Sequence, residues 1–187
     1  SAVGSLLYYA CAVDPTMLPA LNELRIHQSK PTRTTNDKLN WLLDYAYTYP
    51  NAKIRYHATD MQLWIELDAA YHVLPNAQSR YAGHFYLSNK PPPGDLTLYT
   101  PPQNGPIHTK CTTIKNTVGS AAKAETGGTY RNTQKGVEIR RILTELGHPQ
   151  GPTPTQLDNS TCHGFIYSNI CQKVSKTWDM QWNWLQD

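Results

Sequence analysis

The chain has 187 residues, a formal charge of +3, 39% apolar residues and 17% charged residues. These proportions support a packed core and exclude a wholly disordered chain, and 11 glycines with 14 prolines exclude a collagen-like one. The mean hydropathy is −0.57, and no apolar run approaches the ~18 residues that a membrane helix needs, so we expect no membrane span. The length suits one domain with an attached segment, or two very small domains. The small positive charge permits a polyanionic partner without requiring one.

The chain begins without a basic stretch, so we expect no signal peptide there. Its four cysteines contain no Cys-x-x-Cys pair; they are Cys11, Cys111, Cys162 and Cys171. Cys162-His163 with Cys171 suggests part of a zinc site, but no fourth ligand stands at a usual spacing. We therefore predict no zinc, and instead reduced, partly buried thiols in an intracellular protein.

Residues 1–60 are predicted to form a helical segment without chemistry of its own. Apolar residues recur near helical spacing from Leu6 to Ile26, and Asp14-Pro15-Thr16 is typical of a helix start. Residues 37–49 place four apolar side chains on one stripe, and Pro50 ends it.

After Pro50 the pattern changes to a period of two, which predicts three consecutive strands. Leu63, Ile65 and Leu67 alternate with more polar residues in a first strand that ends at Asp68. Residues 80–88 and 106–115 are rich in aromatic or β-branched residues and predict the second and third strands. The proline-rich stretch 89–105 predicts a loop between them. Three strands in a row indicate an antiparallel meander.

The pattern then returns to helix over residues 120–146, with Ser120 as the cap and Gly147 as the end signal. Glycines at 127, 128 and 136 are tolerable there if the helix lies close to a sheet or ligand. Residues 155–157 predict a short strand leading into Asp158, and residues 160–169 and 175–186 predict two closing helices. The order indicates an α/β protein whose mixed sheet is flanked by helices.

Three carboxylates stand out among the 14 acidic residues. Asp68 and Asp158 each close a predicted strand, and Glu125 lies among alanines in the first turns of the long helix. The apolar neighbours of Asp68 predict its partial burial, which requires a cation or hydrogen bonds. Mg²⁺ prefers hard oxygen ligands, and two such ions can flank one phosphate. Singly, these residues are also typical of turns, caps or solvated helix positions; their order on strand, helix and strand is more specific.

Seven stretches of the chain carry a resemblance to a known family through their common order. They are Val3–Ala10, Leu67–Tyr71, Ser79–Gly83, Ser120–Glu125, Ile139–Gly147, Leu157–Ser160 and Ser175–Met180. In this order the chain resembles the ribonuclease H domain of copia-type LTR-retrotransposon polyproteins, together with the tail of the preceding reverse transcriptase. The resemblance implies that residues 1–60 correspond to that tail. Residues 61–187 would form a ribonuclease H-like domain with three antiparallel strands and then a parallel one.

The resemblance implies a metal-dependent endoribonuclease that cleaves the RNA strand of RNA–DNA hybrids during reverse transcription. Asp68 would bridge two Mg²⁺ ions, or Mn²⁺, and Glu125 and Asp158 would complete one of them. One ion would activate a water and the other would stabilise the leaving 3′ oxygen. The implied partners are the hybrid and the reverse transcriptase portion of the same polyprotein, in the cytoplasm, virus-like particles or nucleus.

This chain also departs from the family. Many members carry a last acidic ligand after a fifth strand, in a segment that this chain lacks, so the domain is either truncated or diverged. Asp179 is the late candidate for that ligand, and Lys123 stands where an acidic residue is common. Two alternatives therefore stay open: an inactive ribonuclease H-like module that is structural or binds nucleic acid, and a nuclease or strand-transfer enzyme that acts on DNA.

Candidate substrate contacts flank the acidic residues. Ser120, Asn116 and Asn159 could detect a 2′-hydroxyl, although capping is the other role for each. His163 could move protons, although a surface histidine is the simpler interpretation. Cations for phosphate contacts, each of which also suits a solvated surface, are Arg80, Lys110, Lys115, Lys173 and Lys176.

Overall fold

A computed structural model describes residues 2–94, 99–115 and 118–158, together with 162, 164, 166, 180, 181 and 183–185. The chain is an α/β protein with a four-stranded mixed sheet, three strands antiparallel and one parallel, flanked by helices. This confirms the predicted class and strand directions. The predicted sites at Asn116, Asn159, His163, Lys173, Lys176 and Asp179 lie outside the described residues.

The N-terminal helices are α1 (Ala2–Ala12), α2 (Leu18–Ile26) and α3 (Arg33–Thr48). The predicted start at Asp14 is a short 3-10 turn, Pro15–Met17, which runs directly into α2. The Asp14 side chain accepts a hydrogen bond from the backbone N–H of Thr16, so it caps the turn as its sequence suggested. Residues 49–61 form no helix, and the helical segment is therefore shorter than predicted.

A small core holds these helices together and joins them to the sheet. Its buried members are Ala10, Met17, Leu18, Leu21, Leu24 and Leu42. Cys111, on the edge strand of the sheet, packs against this cluster. Leucines one turn apart therefore serve a helix–helix interface, as their spacing indicated.

The sheet has the order β3-β2-β1-β4. Strands β1 (Gln62–Leu74), β2 (Gln78–Ser88) and β3 (Pro106–Thr113) form the antiparallel meander, and β4 (Thr155–Gln156) pairs parallel to β1. The prediction that β1 ends at Asp68 is wrong. Pairing with β2 continues past Asp68, opposite Ala82, to Leu74, opposite Gln78, so Asp68 lies in the middle of the strand.

Helix α4 (Ala121–Glu145) crosses one face of the sheet. Ser120 caps it by accepting the backbone N–H of Lys123 at 3.2 Å, as predicted. The buried contact with the sheet consists of Leu63, Ile65, Leu67, Phe85, Ile139 and Leu143. A side chain at Gly136 would come within 2.6 Å of Ile65 Cδ1, so this glycine allows the close helix–sheet approach that its presence suggested.

The two predicted closing helices fall mostly on residues outside the described part of the chain. The described residues within them, 162, 164, 166, 180, 181 and 183–185, are helical. In the part of the chain that the structure describes, every helix is too short or too polar to cross a membrane.

Candidate metal centre

Three carboxylates from separate elements meet at one point. One oxygen each of Asp68, Glu125 and Asp158 lies within 4.8 Å of the other two. The strand register explains part of this convergence, because the parallel pair joins Glu66 to Gln156. Two residues beyond this pair in each segment, Asp158 comes level with Asp68, and the first turns of α4 bring the Glu125 carboxylate to the same point.

The position of Glu125 is determined by a close approach of α4 to β1. A Cβ at Gly128 would lie 3.0 Å from Tyr81 Cβ and 3.5 Å from Ala69 Cβ, so the absence of a side chain lets the helix lie this close to the sheet without a shift of Tyr81 or of the helix. At this separation the backbone N–H of Ala69 donates a hydrogen bond to Glu125 Oε1 at 3.3 Å. The side chain is 4% exposed. The helix therefore places a buried carboxylate against the backbone of Ala69, the residue that follows Asp68 on β1.

The electrostatics of the centre disfavour negative charge. Burial raises the pKa of Glu125 to about 7, and the Asp68 and Asp158 carboxylates add to this, against the Ala69 hydrogen bond. Glu125 Oε2 is buried and has no hydrogen-bond partner among the described residues. A buried carboxylate oxygen without a partner is unfavourable, and a divalent cation with oxygen ligands satisfies both the oxygen and the charge. The three residues thus fit a hard metal ion.

The predicted partial burial of Asp68 is wrong, since both Asp68 and Asp158 are exposed. The apolar neighbour Leu67 points into the core against α4, and strand alternation directs Asp68 away from it. The centre therefore has a buried side, supplied by Glu125, and an open side, supplied by the two aspartates. An open side is needed for a large substrate to reach a bound ion.

The other predicted site residues have three different outcomes. Ser120 is occupied as the helix cap, and Asn159 and Asp179 lie outside the described residues. Arg80 lies on β2 opposite Ala70, and its buried Nε has no hydrogen-bond partner within the described ranges. Lys115 is exposed just beyond β3. No described hydrogen bond or ion pair joins Arg80 or Lys115 to the three carboxylates.

Sequence reasoning missed two features of the centre. The Ala69 backbone donor leaves no signal in the sequence, because any residue but proline supplies it. The second feature is Cys162, which the sequence predicted as a reduced, partly buried thiol without a place in the centre. Its buried sulfur lies beside the hydroxyls of Thr126 and Thr129 on α4. The signal for it was the pair of threonines three residues apart, on the helix face that also carries Glu125.

Comparison of the chain with protein-family models, with curated proteins and with solved structures finds no match. The functional interpretation therefore depends on the sequence and on the geometry of this centre.

Proposed function

We propose that the protein is a metal-dependent ribonuclease H that cleaves the RNA strand of RNA–DNA hybrids. The convergence of Asp68, Glu125 and Asp158 carries this proposal. The order of the elements supports it, since the meander, the helix and the parallel strand follow the arrangement expected of a ribonuclease H-like fold. By the sequence resemblance, the activity would serve a copia-type retrotransposon, beside its reverse transcriptase.

Each carboxylate has a distinct task in this proposal. Two bound Mg²⁺ or Mn²⁺ ions would supply an activated water and neutralise charge at the scissile phosphate. Asp68, in the middle of β1, would be the shared ligand, and Glu125 and Asp158 would complete the set. The Ala69 N–H donates to Glu125 Oε1, so Oε2, which has no partner among the described residues, is the oxygen that would bind metal. No side chain forms a covalent bond with the substrate.

Cleavage of a hybrid with a labelled RNA strand, with and without Mg²⁺, tests the proposal. We expect Mg²⁺-dependent cleavage of the RNA strand by the wild type and none by Asp68→Asn, Glu125→Gln or Asp158→Asn. Glu145→Gln is the matched control, because Glu145 lies exposed at the far end of α4. It should cleave like the wild type.

The same assay separates the alternatives. Binding of the hybrid without any metal-dependent product would replace the proposal with an inactive nucleic-acid-binding module. Cleavage of an all-DNA duplex in preference to the hybrid would indicate a DNA nuclease or a strand-transfer enzyme. Cleavage that survives in Asp68→Asn would contradict the assigned role of the three carboxylates.

A further inference from the structure

A buried thiol connects two of the elements that form the metal centre. Cys162 follows Asp158 by four residues and is fully buried. Its Sγ lies 3.5 Å from Thr126 Oγ1 and 3.8 Å from Thr129 Oγ1. Thr126 is the residue after Glu125 in α4. A polar contact therefore joins the segment after Asp158 to the helix turn that carries Glu125.

The hydrogen bonds of the two threonines determine the direction of this contact. Thr126 Oγ1 donates to the Ala122 carbonyl and Thr129 Oγ1 to the Glu125 carbonyl, both at 2.9 Å. Each hydroxyl has a single hydrogen, which is used in these bonds, so only its lone pairs face the sulfur. The Cys162 S–H is therefore the donor. Both threonines are almost completely buried, so water does not compete for the contact.

Described contacts hold the chain before and after Asp158. Asp158 itself is exposed, and it lies two residues beyond a strand of only two residues. On its N-terminal side, Leu157 packs against the core cluster beneath α4. On its C-terminal side, the next described residue is Cys162. The short strand before it is also held by hydrogen bonds, since Gln156 pairs with β1 and its Nε2 donates to the Tyr99 carbonyl. Asp158 thus lies between a strand anchored on β1 and the buried polar contact of Cys162.

We propose that Cys162 is a positioning residue whose hydrogen bond to the Thr126–Thr129 pair holds Asp158 at the separation from Glu125 that a shared metal ion requires. The inference rests on the proposed metal centre. The thiol binds neither metal nor substrate in it. It acts through the segment that carries Asp158, in the way that groups behind metal ligands set metal affinity in other proteins.

Mn²⁺ binding to the full chain, measured by the electron paramagnetic resonance signal of free Mn²⁺, tests the role without any substrate. Cys162→Val keeps a similar volume and removes the donor, and we expect it to weaken Mn²⁺ binding about 10-fold. Cys162→Ser restores a donor and should recover most of that loss. Cys111→Val is the control, because Cys111 is a partly buried thiol on β3, two strands away from Asp68. Its Mn²⁺ affinity should equal that of the wild type.

A second set of variants tests the bond from the threonine side. The double variant Thr126→Val with Thr129→Val removes both acceptors and keeps Cys162, so it tests the bond even if Cys162→Val fails to fold. We expect it to weaken Mn²⁺ binding about 10-fold, as Cys162→Val does. The triple variant adds Cys162→Val to the double variant. If the thiol acts through these hydroxyls, the triple variant binds Mn²⁺ as weakly as Cys162→Val alone. If the fold losses of Mn²⁺ affinity in the double variant and in Cys162→Val multiply in the triple variant, the two sides act independently, and the proposed bond is overturned.

The failure of this inference differs from the failure of the proposed function. A wild type that binds no Mn²⁺ overturns the metal centre and the positioning role together. A wild type that binds Mn²⁺, with an unchanged affinity in folded Cys162→Val, overturns the positioning role alone. Equal losses in Cys162→Val and Cys162→Ser also overturn it, because they would indicate a packing role in place of a hydrogen bond.

Discussion

The backbone N–H of Ala69 donates a hydrogen bond to Glu125 Oε1 across 3.3 Å. This bond joins the central strand to α4 at the residue that follows Asp68. It orients a buried carboxylate whose second oxygen has no partner in the described part of the chain. The fold thereby holds an acidic group in a place where its charge is unfavourable until a cation arrives, and the stability of the metal-free protein should reflect this.

The first prediction concerns pH. Glu125 has a folded-state pKa of about 7, above its ordinary value of 4.5, chiefly because it is buried. Between these two values the folded state holds the proton more tightly than the unfolded state, so the contribution of Glu125 to stability falls as pH rises and levels off above about 7. The measurement is the free energy of unfolding by urea, in EDTA at pH 5 and at pH 8, compared between the wild type and Glu125→Gln.

That comparison is needed because other groups titrate in the same range. Burial lowers the pKa of His108 below 6.5, and this contribution to stability rises with pH. The Glu125→Gln variant keeps the contribution of His108. The difference in the free energy of unfolding between wild type and variant therefore contains only the contribution of the Glu125 carboxyl group. Glu145→Gln should keep the pH dependence of the wild type. A wild type and a Glu125→Gln variant with parallel pH profiles would contradict the buried-carboxyl explanation.

The second prediction concerns Asp68 and metal. The Asp68 carboxylate helps to raise the pKa of Glu125, so removal of its charge relieves repulsion in the metal-free protein. In EDTA at pH 8 we expect Asp68→Asn to melt at the wild-type temperature or above it. In Mg²⁺ the wild type should gain thermal stability and the variant should gain none, because binding to the folded state alone stabilises it.

Asp44→Asn is the control for this prediction, since Asp44 is an exposed acidic residue on α3. The rise in its melting temperature on addition of Mg²⁺ should match that of the wild type. A gain that persists in Asp68→Asn would mean that Mg²⁺ binds elsewhere on the protein.

The third prediction compares two neighbouring glycines of α4. Among the described residues, alanine at Gly127 would meet only Gln181 Oε1, at 3.9 Å, so Gly127→Ala should stabilise the helix by about 1 kcal/mol. Alanine at Gly128 would meet Tyr81 Cβ at 3.0 Å, and the same gain should be offset by overpacking of about 1–3 kcal/mol. Urea unfolding of both variants measures the difference.

The same pair reports on the centre. Displacement of α4 from β1 by Gly128→Ala should also weaken Mn²⁺ binding, while Gly127→Ala should bind Mn²⁺ like the wild type. Equal stability and equal affinity in the two variants would show that the close approach at Gly128 does not position Glu125.

The fourth prediction concerns Asn132, which is fully buried where α4 crosses β2. Its Nδ2 donates to the Ala82 carbonyl at 2.9 Å, opposite Asp68 in the register. Asn132→Ala should lower the free energy of unfolding by about 1–3 kcal/mol, because it removes this bond within the core. Asn40→Ala, at an exposed position of α3, should change it by less than about 0.5 kcal/mol. Comparable losses in the two variants would rule out an important role for the Asn132 bond.

Local patterns in the sequence predicted most of the elements. The alternation around Leu63 and Ile65 predicted a strand, Ser120 predicted the start of α4, and the run of β-rich segments predicted the meander. These features depend on near neighbours in the chain, so they can be read without a fold. The end of β1 was misjudged because its pairing with β2 past Asp68 depends on a partner strand, not on the residues of β1 itself.

The sequence by itself determined which residue types were present and in what order: two aspartates and a glutamate on strand, helix and strand. Only the tertiary structure decided that they meet, that Glu125 is buried while Asp68 and Asp158 stay exposed, and that Cys162 lies against Thr126. Burial, pKa and metal affinity depend on groups brought together from distant parts of the chain. A one-dimensional pattern contains no distances between such groups, so these properties appear only once the helix rests on the sheet.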